Sequence, residues 1–231
     1  MVESASHRRI GFVSVRHAGG IRVLTLLGPA TRDEYLGLVA PLAREIESAL
    51  SNRVVANRVA RCRTDPPELR LRPWQIERRA FAHRLRALAA RRPTIAVADV
   101  RRCYASISPP TVERTLEGLG IGSAAAVGRF LARLERAGGR GLPVGPEASA
   151  VLANAVLGGA DEALSAAGVE HLRWVDDVVI AADDPEEAAV ALGVLSQALE
   201  GLGLRLNATK TRIAATNAAV ELVASQRALR A

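Results

Sequence analysis

The sequence predicts an α+β fold, an antiparallel sheet in βαββαβ order with helices on one face, preceded by a basic region. Three observations carry this expectation. From residue 94 onward, short apolar stretches of strand length alternate with longer stretches whose apolar residues recur at helical spacing. In His171-Leu-Arg-Trp-Val-Asp-Asp-Val-Val-Ile180, two adjacent carboxylates interrupt an apolar, β-branched run, which reads as strand, turn, strand. Charge is divided: residues 1–98 carry 18 arginines against 8 acids, whereas residues 99–231 are slightly acidic.

The bulk numbers bound the answer. A chain of 231 residues can bury one substantial core, or a core with a small attached subdomain. Hydrophobic content of 49% and charged content of 24% are those of a soluble globular protein. No apolar run reaches membrane-spanning length, and the N-terminus lacks the basic-then-apolar layout of a secretory signal, so no membrane partner is expected. Cys62 and Cys103 read as reduced thiols of a cytoplasmic protein. The four histidines make no zinc spacing with either cysteine. The net charge of +7 comes from the first half, whose arginines suit either a solvated surface or contact with a polyanion.

The first elements are two short strands around Phe12–Val15 and Ile21–Leu27, joined at Gly19-Gly20. A helix is expected over 32–50, with Asp33 and Glu34 in its first turn and a kink or break at Pro41. Residues 51–67 hold Arg53, Arg58, Arg61 and Arg63 in a basic loop or short strand. A basic helix over 74–92 interleaves six arginines with Trp74, Ile76, Phe81, Leu85 and Leu88. That pattern fits a packed apolar stripe with a solvated face, and equally phosphate contact by the arginine face.

Thr94-Ile-Ala-Val-Ala-Asp99 is a small apolar strand ending on a carboxylate, started by Pro93. Ser108-Pro-Pro-Thr111 turns the chain into a helix with Val112, Leu116 and Leu119, and a second helix is expected over 123–137. Residues 138–147 form a glycine- and proline-rich loop that opens onto a helix over 148–166. Glycines there allow close approach of a ligand, and a helix N-terminus favours anions. No Gly-Lys-Ser/Thr follows, so the loop is not a P-loop. The Asp-Asp hairpin spans 170–182, a helix follows over 185–202, and residues 204–213 read as strand, polar turn, strand. A terminal helix is expected over 217–230.

Four stretches in this order resemble the palm of the reverse transcriptase family. Asp99-Val-Arg-Arg-Cys-Tyr104 is similar to its first motif, and Gly141-Leu-Pro-Val-Gly-Pro-Glu-Ala-Ser149 with Leu152-Ala-Asn154 to its second. Trp174-Val-Asp-Asp177 is similar to the third, and Gly203-Leu-Arg-Leu-Asn-Ala-Thr-Lys210 to the fourth. The resemblance covers roughly residues 93–215. It implies a polymerase palm over 93–215, a reduced, basic fingers-like region over 1–92, and a C-terminal helix over 216–231 with the thumb largely absent. It also implies an RNA-directed DNA polymerase of the short bacterial stand-alone or defence-associated type.

The chemistry calls for these residue types. Phosphoryl transfer to a primer hydroxyl depends on positioning and charge neutralisation rather than covalent work by protein groups. Two divalent ions about 4 Å apart hold the attacking and leaving oxygens, and hard carboxylate oxygens suit Mg²⁺, or Mn²⁺ in its place. The resemblance implies that Asp99, Asp176 and Asp177 are the catalytic metal ligands, with the backbone carbonyl of Val100 as a further one. Because successive strand residues alternate between faces, Asp176 is expected to lead and Asp177 to be turned partly aside. Tyr104 is implied to lie beneath the incoming sugar and exclude a 2′-hydroxyl, unless it is simply a core tyrosine. Pro143, Gly145 and Ser149 would line the template–substrate pair. Lys210 is the single lysine beside 30 arginines. A lysine can donate a proton where an arginine hardly can, so Lys210 is the candidate acid at the leaving pyrophosphate, although a surface lysine on a turn has the same sequence.

The sequence also departs from the family pattern. Val144 stands where glutamine is common, and Trp174 where tyrosine is usual. The arginine for the triphosphate is not marked by a motif; Arg58 is taken from the set Arg53, Arg58, Arg61 and Arg63. The implied partners are an RNA template, a DNA or RNA primer, dNTPs, and a second protein supplying thumb-like contacts. Three alternatives stay open: an RNA-templated or template-independent nucleotidyltransferase, a non-catalytic nucleic-acid-binding palm subunit, and a nucleotide cyclase on a similar sheet, whose signature loop is not found here.

Overall fold

A computed structural model describes residues 10–17, 20–60 and 69–216. The expected terminal helix over 217–230, together with Cys62, Arg61, Arg63 and Gly19, lies outside the described residues. The chain divides into two compact units. One holds the described residues up to Ala49, those within Val59–Leu71, and Tyr104–Val156. The other holds Leu50–Arg58, Arg72–Cys103 and the described residues from Leu157 onward.

The first unit opens with the expected hairpin, β1 (Ile10–His17) and β2 (Gly20–Leu27), paired antiparallel from Ile10↔Leu27 to His17↔Gly20. Helix α1 (Pro29–Val39) starts three residues earlier than its sequence suggests, so its first turn contains no acid. Proline at the first helical position explains the shift, because its φ is preset and its missing N–H would have been unpaired there. Pro41 breaks the helix as expected, in a 3₁₀ turn (Ala40–Leu42), before α2 (Ala43–Ala49). In this unit Tyr35 stacks on Phe130, with ring centres 4.8 Å apart.

The second unit is built on a four-stranded antiparallel sheet in the order β4-β5-β3-β6. Its strands are β3 (Thr94–Asp99), β4 (Glu170–Trp174), β5 (Asp177–Ala182) and β6 (Arg212–Ala215). Every residue of β3 and β5 is buried, which is why both read as unbroken apolar runs rather than alternating ones. Helix α3 (Trp74–Ala89) covers one face: Phe81, Leu85 and Leu88 pack with Ile95, Val97, Leu172, Val179 and Ala181. Trp74 and Ile76, read from the sequence as part of this stripe, are exposed. The stripe instead runs 77–81–85–88, and Glu77 takes its first place. Burying that carboxylate is tolerated because the Asn57 and Arg58 backbone N–H groups donate to it, at 2.9 and 2.8 Å.

Helix α4 (Cys103–Ser106) and helix α7 (Glu147–Ala166) each carry the chain from one unit into the other. Between them lie α5 (Pro109–Gly118) and α6 (Ala124–Arg136) in the first unit, close to their expected bounds. Ser108 caps α5 by accepting a hydrogen bond from the Thr111 N–H, 3.3 Å away. After the hairpin comes α8 (Pro185–Gly201), capped by Asp184, whose carboxylate accepts from the Glu187 N–H at 2.8 Å.

Candidate active site

The site grows from the end of β3. The register sets Asp99 directly opposite Asp177, so the two carboxylates leave the sheet on the same face. Like charges facing each other across a strand pair repel, and a nearby cation offsets the repulsion. Lys210 supplies one: its Nζ lies 3.0 Å from Asp99 Oδ2. Asn207 donates from Nδ2 to the other oxygen of Asp99, at 2.8 Å, and its N–H donates to the Asp99 carbonyl at 2.7 Å. A polar turn follows, in which the Lys210 N–H bonds back to the Asn207 carbonyl. That turn brings the lysine over the carboxylate.

Asp176 sits in the two-residue turn between Trp174 and Asp177. Its carbonyl accepts a hydrogen bond from the Val100 N–H at 3.0 Å, which ties the turn to the chain just beyond β3. Asp176 is half-buried, whereas Asp99 and Asp177 are almost fully buried. The register corrects the expectation that Asp177 turns aside: strand alternation does not apply to Asp176, which lies in the turn, and Asp177 faces Asp99, while Asp176 remains the more accessible carboxylate of the pair. Val100 is buried and bridges to Leu206.

Val175, which precedes Asp176, has φ of +57°. A β-branched residue in this left-handed region is strained by about 1–2 kcal/mol. A compensating bond is present. Arg173 donates from Nη1 to the Val175 carbonyl at 2.9 Å. A hydrogen bond with one charged partner contributes about 1.5–3 kcal/mol, enough to offset the strain. The rest of the guanidinium grips Asp161 of α7, with Nε 2.9 Å and Nη2 2.7 Å from Oδ2. Arg173, Asp161 and His171 are all buried. His171 Nε2 lies 3.4 Å from Asp161 Oδ1, too long for a good hydrogen bond, and this nitrogen has no other partner among the described residues. Burial pushes the Asp161 carboxyl upward, but Arg173 and His171 together outweigh it and hold the group below its ordinary value. Burial likewise pushes the Cys103 thiol up, and Asp176 and Asp99 add to that rise against the opposing pull of Arg173.

Tyr104 is half-buried in the first unit, so it is not a fully enclosed core tyrosine; its carbonyl accepts the Leu142 N–H at 2.8 Å. The glycine loop follows that contact. Gly141 has φ of +57°, and a Cβ there would come within 2.8 Å of the Ile107 carbonyl oxygen, so only glycine fits. Gly145, at φ of +127°, is exposed, and the Val144 carbonyl accepts from the Thr25 N–H. Pro143 is buried. Ser149 is fully buried and its hydroxyl is 3.0 Å from that of Tyr35, which fixes the first turn of α7. Burial raises the Tyr35 hydroxyl's pKa, keeping it a neutral partner for this bond. Arg58 donates from Nη1 to the Ser51 and Val54 carbonyls, at 2.9 and 3.0 Å, and so staples its own loop.

Sequence reasoning missed Asn207, Arg173 and Asp161. Arg173 gave a signal: a charged residue inside an apolar strand, between Leu172 and Trp174, has to find a buried partner. Nothing marked Asp161, since one acid in an alanine-rich helix looks like a solvated one.

Among the described residues no three His, Cys, Asp or Glu side chains converge into a ready-made metal cage. Mg²⁺ does not require one; it is commonly held by one or two carboxylates plus water and substrate phosphates. Asp99 and Asp176 offer hard oxygen donors on adjoining segments, so the donor chemistry fits such an ion.

A family model described as reverse transcriptase (RNA-dependent DNA polymerase) matches residues 35–224. Among solved structures, the chain is similar to telomerase from Candida albicans in complex with a TWJ fragment of telomeric RNA. The identity is 12% and the TM-score 0.58, over 91% of this chain and 43% of that one. It is also similar to apo telomerase from Candida tropicalis, at 12% identity and TM-score 0.59, covering 93% of this chain and 46% of that one. A Candida tropicalis form truncated from its C-terminal domain gives 13% and 0.53, covering 93% and 51%. At such identities the likeness concerns the fold, and the chain spans about half the length of these telomerases or less. No curated protein matches. The family match takes in well over half of the chain, including all of the strands and turns that carry Asp99, Asp176, Asp177 and Lys210, and the chain belongs to the reverse transcriptase family.

Proposed function

We propose that this protein is an RNA-directed DNA polymerase that adds dNTPs to the 3′ end of a DNA or RNA primer. The observation that carries the reading is the convergence of Asp99, Asp177 and Lys210 with the Asp176 turn in one compact unit. Asp99 and Asp176, with Asp177 and the Val100 carbonyl beside them, would hold two Mg²⁺ ions, or Mn²⁺. When bound, such ions supply charge neutralisation at the attacking and leaving oxygens. The primer 3′-hydroxyl would lose its proton to solvent and attack the α-phosphorus of the dNTP; the new P–O bond forms as the bond from that phosphorus to the bridging oxygen breaks, and pyrophosphate leaves with the electron pair. Lys210, whose Nζ lies 3.0 Å from Asp99, is assigned as the acid that would protonate the departing pyrophosphate.

Tyr104 is assigned to the sugar, where its ring would exclude a 2′-hydroxyl. The exposed backbone at Gly145, next to buried Pro143, is assigned to the template–substrate pair. The triphosphate is assigned to the loop of Arg53 and Arg58, where Arg58 holds the loop's shape. Support for an RNA template comes from the family and from the RNA-bound telomerase whose fold the chain shares.

Primer extension on an RNA template tests the reading. With Mg²⁺ and all four dNTPs the wild type is expected to extend the primer, and to stop where a withheld dNTP is called for by the template. In the same assay Tyr104→Ala is expected to admit ribonucleotides. Addition indifferent to template would point instead to a template-independent transferase, and unchanged sugar discrimination would remove Tyr104 from its role.

A further inference from the structure

Behind the hairpin lies a buried charged group that the chemistry above does not use. Alternation along β4 puts Arg173 on the face of Val178 and Ala98, away from Trp174, Asp177 and Asp99. Arg173 is 1% exposed and so is Asp161. A buried ion pair can commonly be replaced by apolar residues of similar volume without loss of stability, so stability alone does not account for this one. Its geometry does. Nε and Nη2 are spent on Asp161, which leaves Nη1 to bond the Val175 carbonyl. The backbone of the same residue is fixed on both sides: the Arg173 N–H donates to the Arg53 carbonyl, and its own carbonyl accepts from the Val55 N–H, each at 3.0 Å. A rigid base therefore grips the strained residue immediately before Asp176.

We propose that Arg173 is a positioning residue: anchored on Asp161, its guanidinium holds the Val175 turn in the one conformation that presents Asp176 to a metal ion. This rests on the metal-binding reading of Asp176. Arg173 touches no reacting atom. A lysine in its place could pair with Asp161 but lacks the planar fork that serves two acceptors at once.

Two variants of the full chain test it, Arg173→Lys and the double variant Asp161→Leu with Arg173→Met, which removes both charges and leaves neither buried unpaired. Mn²⁺ binding is measured by electron paramagnetic resonance, with thermal melting as the control for folding and Asp176→Asn as the control for the site. Both variants are expected to melt cooperatively, to weaken Mn²⁺ binding by about tenfold or more, and to speed amide exchange in the hairpin peptide but not in the β3 peptide. Wild-type affinity in either folded variant overturns the positioning role while leaving the metal site standing. Absence in the wild type of any Mn²⁺ binding that Asp176→Asn abolishes overturns the metal site, and the positioning role with it.

Discussion

Lys210 and Asp99 form an ion pair in which the aspartate side chain is buried and the lysine side chain is 42% exposed. Solvent screening makes such a pair a minor contributor to stability, so its interest lies in what the ammonium can give away. Lys210→Arg keeps the charge and removes the transferable proton. It is expected to fold normally and to slow single-nucleotide addition by about 10²-fold; a full rate in a rapid-quench measurement would reduce Lys210 to a counter-ion. Asp161 makes a different prediction. Its folded pKa lies below the ordinary carboxylate value of 3.8, so the folded state binds its proton less readily than the unfolded chain. The resulting stability is fully present above that value and is lost as pH falls through the lower folded one. Asp161→Asn is therefore expected to flatten the acid limb of the stability curve, seen as urea midpoints at about pH 3 and pH 7. An unchanged acid limb would show that Asp161 is not held below its usual value. At this scale the sequence was legible where the residue type is scarce or paired: a solitary lysine and two adjacent aspartates. It was not legible for Asn207, because an asparagine on a polar turn serves turn geometry equally well.

The hairpin is the element on which the site depends. Its strands were readable from β-branched residues around a polar pair, and its turn chemistry was not. Two-residue turns with positive φ normally carry glycine or asparagine, and valine at +57° is outside what composition would suggest. Val175→Gly is expected to relieve the backbone and raise stability by about 1 kcal/mol, measured by urea unfolding, because the Arg173 bond is to a carbonyl that glycine retains. A loss of similar size would show that the turn is not strained. The helices follow the same pattern of partial legibility. Pro41 announced its break, since proline cannot continue a helix without losing a bond. The exposed Trp74 and Ile76 could not be told from core residues by type alone; only the place of Glu77 on the stripe reveals the true face. The burial of Ser149 was hidden for a related reason: a hydroxyl beside a glycine loop looks accessible, and the buried Tyr35 that bonds it is 114 residues away in sequence.

For the whole molecule, the charge division and the two-unit organisation bear on different questions. The basic first half, with its arginines on the exposed side of α3, suits a polyanion, and such binding weakens steeply with salt. The carboxylates, Lys210 and the Asp161–Arg173 pair all belong to the second unit. Sequence order revealed the sheet that gathers them, since an alternation of strand- and helix-length patterns fixes few topologies. The division into units was beyond it, because two of the crossings fall inside α4 and α7 rather than in loops. In the proposed function Asp176, presented by this turn, serves metal-dependent nucleotide addition. Its most direct test is dNTP incorporation on an RNA-templated primer with Mg²⁺, comparing the wild type with Asp176→Ala at matched folded concentration. Incorporation by the wild type is expected, with its loss, by about 10³-fold or more, in a variant whose thermal unfolding is unchanged. Equal incorporation by the two proteins would contradict it.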